Sequence, residues 1–126
     1  MVEKESPFFD QKAAYAGFEK NRDKLDDVNG FEWLLNNSRF FNVYNRGYVG
    51  SIFVYESEAD GRKYLGGWAE RKRHKDCVRA VKHLADMFDD VFADTRHLNA
   101  VICLQKAGFE WFDRKNKILR RVKNEF

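Results

Sequence analysis

The chain has 126 residues and a mass of 15.0 kDa, the size of one ordinary domain, and 44% hydrophobic residues with a mean hydropathy of -0.68 describe a soluble globular protein. The longest weakly polar run, Gly47 to Tyr55, is less than half of the ~20 residues a membrane-spanning helix needs. The acidic, apolar-poor start MVEKESPFFD is not a secretory signal, so the expected location is the cytoplasm.

Two cysteines, Cys77 and Cys103, are too few for a disulfide framework and read as reduced thiols. Aromatic residues make up 16% of the chain and proline occurs once, a composition that buries a core and excludes long disordered linkers. The net charge of +3 is segregated. Residues 62 to 82 carry eight Lys/Arg against two Asp/Glu, a net +6, while residues 1 to 32 and 83 to 104 each carry a net -3.

No repeat or low-complexity tract interrupts the chain, so residues 1–126 read as a single domain. Apolar residues recur at helical spacing from Phe8 or Phe9 to Leu25, and again from Phe31 to Leu35 after Asn29-Gly30, which predicts two short helices. The start MVEKESP shows too few apolar residues to reveal a strand. Phe40 to Tyr44 and Tyr48 to Tyr55, rich in β-branched and aromatic residues, are two strands. A turn at Glu58 to Gly61 returns the chain as a third, antiparallel strand over 63–70. From about His74, apolar positions at three- and four-residue spacing predict a helix through Phe88. Val91 to Thr95 reads as a buried strand, Leu98 to Lys106 as a helix ended by Gly108, and 109–114 and 118–123 as two strands. A strand, helix and strand in succession form a right-handed parallel crossover, so the sheet is expected to be mixed.

Chemistry concentrates at Arg71-Lys72-Arg73-His74-Lys75, between the strand over 63–70 and the helix that follows. Cations are the wrong sign for a helix N-terminus, whose free N–H groups favour negative charge by about 0.3–1 kcal/mol per group. The arrangement makes sense if a phosphate or pyrophosphate accepts hydrogen bonds there from backbone N–H groups and from Arg73 or Lys75. The alternative is a solvated basic turn.

The series of strand, basic turn, helix, short strand, short helix and terminal Gly108-Phe109 resembles the GNAT N-acetyltransferase superfamily over roughly residues 40 to 114. The resemblance implies an α/β (α+β) domain with a mixed, mostly antiparallel central sheet flanked by helices on both faces. It implies acetyl-CoA as substrate, an amine acceptor, no metal, and direct attack of the amine on the thioester. In that family the turn Q/R-x-x-G-x-G/A holds the pyrophosphate on backbone amides. Arg73 matches its first position, whereas Asp76 and Val78 stand where the glycines would be, and Asp76 brings a carboxylate toward a dianion. Asp76 can instead cap the helix, or Lys75 and Arg79 offset its charge. The family's N-x-x-A-x-x-L-Y-x-x-x-G-F signature places His97 on the Asn, Ala100 on the Ala, Cys103 on the Leu and Leu104 on the Tyr. Leu104 has no proton to donate, and Asn99 is left to take the displaced amide's role. Acetyltransferase-like and internal virion proteins of short-tailed phages are similar in lacking these glycines, which adds the virion to the expected locations.

By the same resemblance the coenzyme contacts are Trp68, Ala69, Arg71, Arg73, His74, Lys75, Val78 and Asn99, with a backbone N–H near Trp68 or Ala69 polarising the thioester carbonyl. A general base must deprotonate the acceptor ammonium, and Glu70 is best placed, with His74 second; exposure at a strand end is the plain alternative for Glu70. Asp94 and Thr95 end a strand beside the expected splay point, or cap the following turn. Asp23, Asp26 and Asp27 attract a cationic amine or are solvated loop carboxylates. Tyr55 and Tyr64 fit cross-strand packing. His74, His83 and His97 lack metal-ligand spacing, and Cys77 lies close to the core face as a structural thiol. Two other function classes remain: a GNAT-fold module that has lost catalysis and binds a protein partner or itself, and a nucleic-acid binder, against which the flanking acidic blocks weigh.

Overall fold

In the computed structural model, which describes residues 1–25 and 30–123, seven strands form one sheet in the order β1-β2-β3-β4-β5-β7-β6. The strands are β1 (Val2–Glu3), β2 (Ser38–Tyr44), β3 (Tyr48–Glu56), β4 (Lys63–Ala69), β5 (Asp90–Asp94), β6 (Glu110–Asp113) and β7 (Ile118–Val122). Among the described residues four α-helices pack on it: α1 (Gln11–Lys20), α2 (Phe31–Asn37), α3 (His74–Ala85) and α4 (Leu98–Lys106). All neighbouring strands pair antiparallel except β4 and β5, so the sheet is mixed and mostly antiparallel.

Strand alternation sorts the aromatic and aliphatic side chains onto two faces. Phe40, Phe53 and Trp68 pack under α1 and α2 with Ala14, Phe18, Phe31 and Leu34. Their strand neighbours Phe41, Ile52, Val54 and Leu65 face the other way, onto α3 and α4 through Val81, Leu84, Cys103 and Leu104. Helices therefore cover both faces of the sheet. On α1, Asp10 Oδ1 accepts from the Ala13 N–H at 3.0 Å, satisfying one free donor of the first turn. At the far end of α4, the Gly108 N–H bonds Gln105 O at 3.1 Å and the Phe109 N–H bonds Leu104 O at 2.9 Å, a paired closure that requires the positive φ of +99° at Gly108.

Strand β1 is the element the sequence does not reveal. Its two residues pair with Asn42 and Phe41 at the sheet edge, and Lys4 ties it down: the Lys4 N–H bonds Phe40 O at 2.9 Å, and Nζ reaches Ser38 O at 2.6 Å and Leu35 O. Main-chain bonds and one ammonium hold it, and neither leaves an apolar pattern.

Candidate functional site

Strands β4 and β5 run parallel and pair, among the described residues, only at Tyr64↔Phe92. Toward their C-terminal ends the described residues show no further β4–β5 pairing, which leaves the main-chain edge of β4 that faces β5 unpaired there. The Glu70 N–H bonds Val49 O at 2.6 Å, in register with the β3–β4 ladder. Antiparallel alternation from that bond turns the main chain of Trp68 and Gly66 toward β3, and that of Ala69 and Gly67 toward the gap. Of the two residues expected near a reacting carbonyl, Ala69 thus faces the opening with its N–H. Trp68 does not: its ring is buried beneath α1, and Nε1 donates to Tyr48 Oη at 3.0 Å.

Immediately after β4, the chain turns through Arg71 and Lys72, the latter with φ +66°, into α3. Arg73 occupies the cap position but makes no side-chain cap. Its guanidinium instead binds the β2–β3 turn, with Nη1 donating to Asn45 O at 2.9 Å and Nη2 to Arg46 O at 3.1 Å. Asp76 completes this staple, accepting from Asn45 Nδ2 at 2.8 Å and from Arg73 Nη1 at 3.4 Å. The Asp76 carboxylate is therefore directed at the hairpin and neutralised by Arg73, and it does not cap the helix. That leaves the first turn of α3 without a side-chain acceptor, flanked by the exposed Arg71, Lys72, His74 and Lys75. Val78, at the second glycine position, is half-buried against the core. The macrodipole and the surrounding cations act in the same direction there, toward an anion.

Glu70, between β4 and this turn, is half-buried and ion-paired with Lys20 of α1 at 3.0 Å. Asp23 lies exposed in the short 3-10 turn after α1, and Asp26 and Asp27 fall outside the described residues. Beneath α1 runs a chain of polar groups that sequence reasoning missed: Tyr48 Oη and Ser51 Oγ at 2.6 Å, Ser51 Oγ donating to Asn42 Oδ1 at 2.8 Å, and Asn42 Nδ2 donating to Asp10 O at 2.9 Å. Asn42 and Ser51 are fully buried. Burial pushes the Tyr48 hydroxyl above the ordinary phenol value, a shift opposed by its bonds to Ser51 and Trp68 and supported by the Glu70 charge. The signal for this network was two small polar residues inside otherwise apolar strands.

The other expected positions distribute as follows. Asp94 is exposed at the end of β5, while the buried Thr95 accepts from the His97 N–H at 3.2 Å through Oγ1, the turn-capping role. A polar recess of about 250 Å³ lies there, lined by Asp94, Thr95, Arg96, Asn116 and Lys117. A groove of about 310 Å³ involving Val54, Glu56 and Lys63 sits at the opposite end of β3 and β4, away from the α3 turn. Tyr55 and Tyr64 stack across strands with ring centroids 6.0 Å apart. On α4, Leu104 is buried in the core and carries no proton-transfer group. The contact of α4 with the first turn of α3 runs through its last turn, Cys103 Sγ to Cys77 Sγ at 3.8 Å and Lys106 Nζ to His74 Nε2 at 3.4 Å. Asn99, exposed and seven residues before Lys106, lies about 10 Å farther along the helix axis.

Among the described residues no group of three or more His, Cys, Asp or Glu is placed to hold a metal ion, and no helix is long and apolar enough to cross a membrane. The chain matches no protein-family model, and no curated protein or solved structure is significantly similar to it.

Proposed function

We propose that the chain is a GNAT-like N-acyltransferase domain that holds the pyrophosphate of acetyl-CoA on the first turn of α3 and presents the thioester in the gap between β4 and β5. One observation carries the reading: an uncapped helix N-terminus ringed by exposed cations stands directly beside the open main-chain edge of β4. Lys75 and Lys72 supply the charge, and Arg73 acts indirectly by holding the turn against the β2–β3 hairpin. The Ala69 N–H polarises the thioester carbonyl. Glu70 takes a proton from the acceptor ammonium, the freed nitrogen lone pair forms the C–N bond, the C–S bond breaks, and the thiolate leaves and is reprotonated. In this reading the acceptor ammonium takes the position held by the Lys20 ammonium, 3.0 Å from Glu70. Exposed pairs of this kind are worth about 0–1 kcal/mol, so an acceptor displaces Lys20 at little cost.

A second reading, a GNAT-fold binding module without catalysis, is favoured by Leu104 at the usual proton-donor position and by Asp76 and Val78 at the glycine positions. Thermal denaturation with acetyl-CoA separates the two, since a ligand at 100 times its Kd stabilises by about 2.7 kcal/mol. Lys75→Glu is the discriminating variant. A carboxylate in the first helical turn suits the macrodipole, so the free protein stays folded while the coenzyme shift disappears. An unshifted melting temperature at millimolar coenzyme, with self-association or a stable protein partner by light scattering, supports the module instead.

A further inference from the structure

Cys77 in the first turn of α3 and Cys103 in α4 are 26 residues apart in sequence, yet their sulfurs are 3.8 Å apart, at van der Waals contact. Both side chains belong to the packing between α3 and α4. Neither residue is needed by the acyl-transfer reading. Cys103 is buried, while Cys77 is partly open to solvent, which gives a small oxidant a route to the pair. The contact with Cys77 and the ammonium of Lys106 hold the Cys103 thiol below its ordinary value; the same contact and burial raise that of Cys77. At this contact one sulfur takes the thiolate form while the other keeps its proton.

We infer that Cys77 and Cys103 form a reversible, intramolecular disulfide that cross-links the first turn of α3 to the last turn of α4 when the protein meets a peroxide. In the first step the thiolate of the pair attacks one oxygen of hydrogen peroxide, the O–O bond breaks, and that cysteine becomes a sulfenic acid with loss of hydroxide. In the second, the other sulfur attacks the sulfenic sulfur, the S–O bond breaks, and water leaves with the attacking thiol's proton. The two thiols lose two electrons and two protons, and the peroxide becomes two waters. A small dithiol reductant reverses the change by exchange. Closing the bond requires the sulfurs to approach from 3.8 Å to about 2.05 Å.

The test is mild peroxide treatment of the folded protein, followed by intact mass and a non-reducing peptide map. A mass loss of about 2 Da, a linked peptide pair containing Cys77 and Cys103, loss of both titratable thiols, and recovery on reduction are expected. The cross-link closes a loop of more than 20 residues and raises the melting temperature of the oxidised form by on the order of 10 °C. Cys77→Ser and Cys103→Ser, near-isosteric changes that keep the fold, abolish both the mass loss and the thermal shift. In Cys77→Ser the remaining thiol stops at the sulfenic acid and is captured by a dione probe. Independent overoxidation of the two sulfurs without linkage, intermolecular dimers in place of the internal bond, or thiols that resist peroxide until the protein is unfolded each overturn the inference.

Discussion

Replacing Gly17 with Ala sets local preference against packing, and the structure decides the sign. In an exposed helix the change is worth about 1 kcal/mol of added stability. At Gly17, however, a Cβ would fall 2.2 Å from Trp68 Nε1, 2.9 Å from Trp68 Cδ1 and 2.9 Å from Tyr48 Oη. Reaching ordinary contact requires α1 or the indole to shift by ~1.5 Å. Overpacking of this kind costs about 1–3 kcal/mol. The shift also breaks the 3.0 Å bond from Trp68 Nε1 to Tyr48 Oη. A buried donor left unsatisfied costs about 1–3 kcal/mol more. The balance is a loss of about 3 kcal/mol, read by urea denaturation at unchanged m-value, with a melting temperature lower by on the order of 10 °C. A Gly17→Ala protein as stable as the parent, or more so, would refute the close approach of α1 to the polar network under it.

Ser51→Ala removes the donor to Asn42 Oδ1 and the partner of Tyr48 Oη, both within the buried chain. Two groups lose their bonds, so urea unfolding should show a loss of about 2–4 kcal/mol; a change below about 0.5 kcal/mol contradicts the network. Acid stability should depend on Asp90, whose carboxyl is held below the ordinary range by the Arg120 guanidinium bonding both its oxygens at 2.8 and 2.7 Å. A lowered folded-state pKa contributes stability that is present above the unfolded value of about 3.9 and lost as pH falls through the folded value. Asp60 and Asp113, lowered by hydrogen bonds from Arg62 N and from Asn116, act in the same window. Melting temperature therefore falls as pH drops below about 4, less steeply in Asp90→Asn than in the parent. Equal slopes in the two proteins would discount the Asp90–Arg120 pair.

Local signals were legible wherever a residue acts on its own neighbours. Gly108 marked the end of α4, the turn at Glu58 to Gly61 marked the β3–β4 hairpin with Gly61 at φ +72°, and the 3.6-residue period marked α3. Partners far apart in sequence were not legible. Arg73 was recognisable as a cation at a helix entrance, but its acceptors Asn45 and Arg46 lie 28 and 27 residues away across the sheet. The Lys20–Glu70 pair spans 50 residues. The role of Asp76 depended on Asn45, and that of Tyr48 on the descent of α1 over the strands. β1 escaped notice because backbone bonds and Lys4 hold it in place of a hydrophobic face.

The central claim is that the amides at the start of α3 and on the open edge of β4 hold the coenzyme. Amide NMR spectra of the protein titrated with acetyl-CoA test it most directly. The account predicts that the largest shifts fall on His74, Lys75 and Asp76, with further shifts at Gly67 and Ala69, and that Lys75→Glu removes them. Shifts centred on the recess lined by Asp94, Arg96 and Lys117, or an unchanged spectrum at millimolar coenzyme, would contradict it.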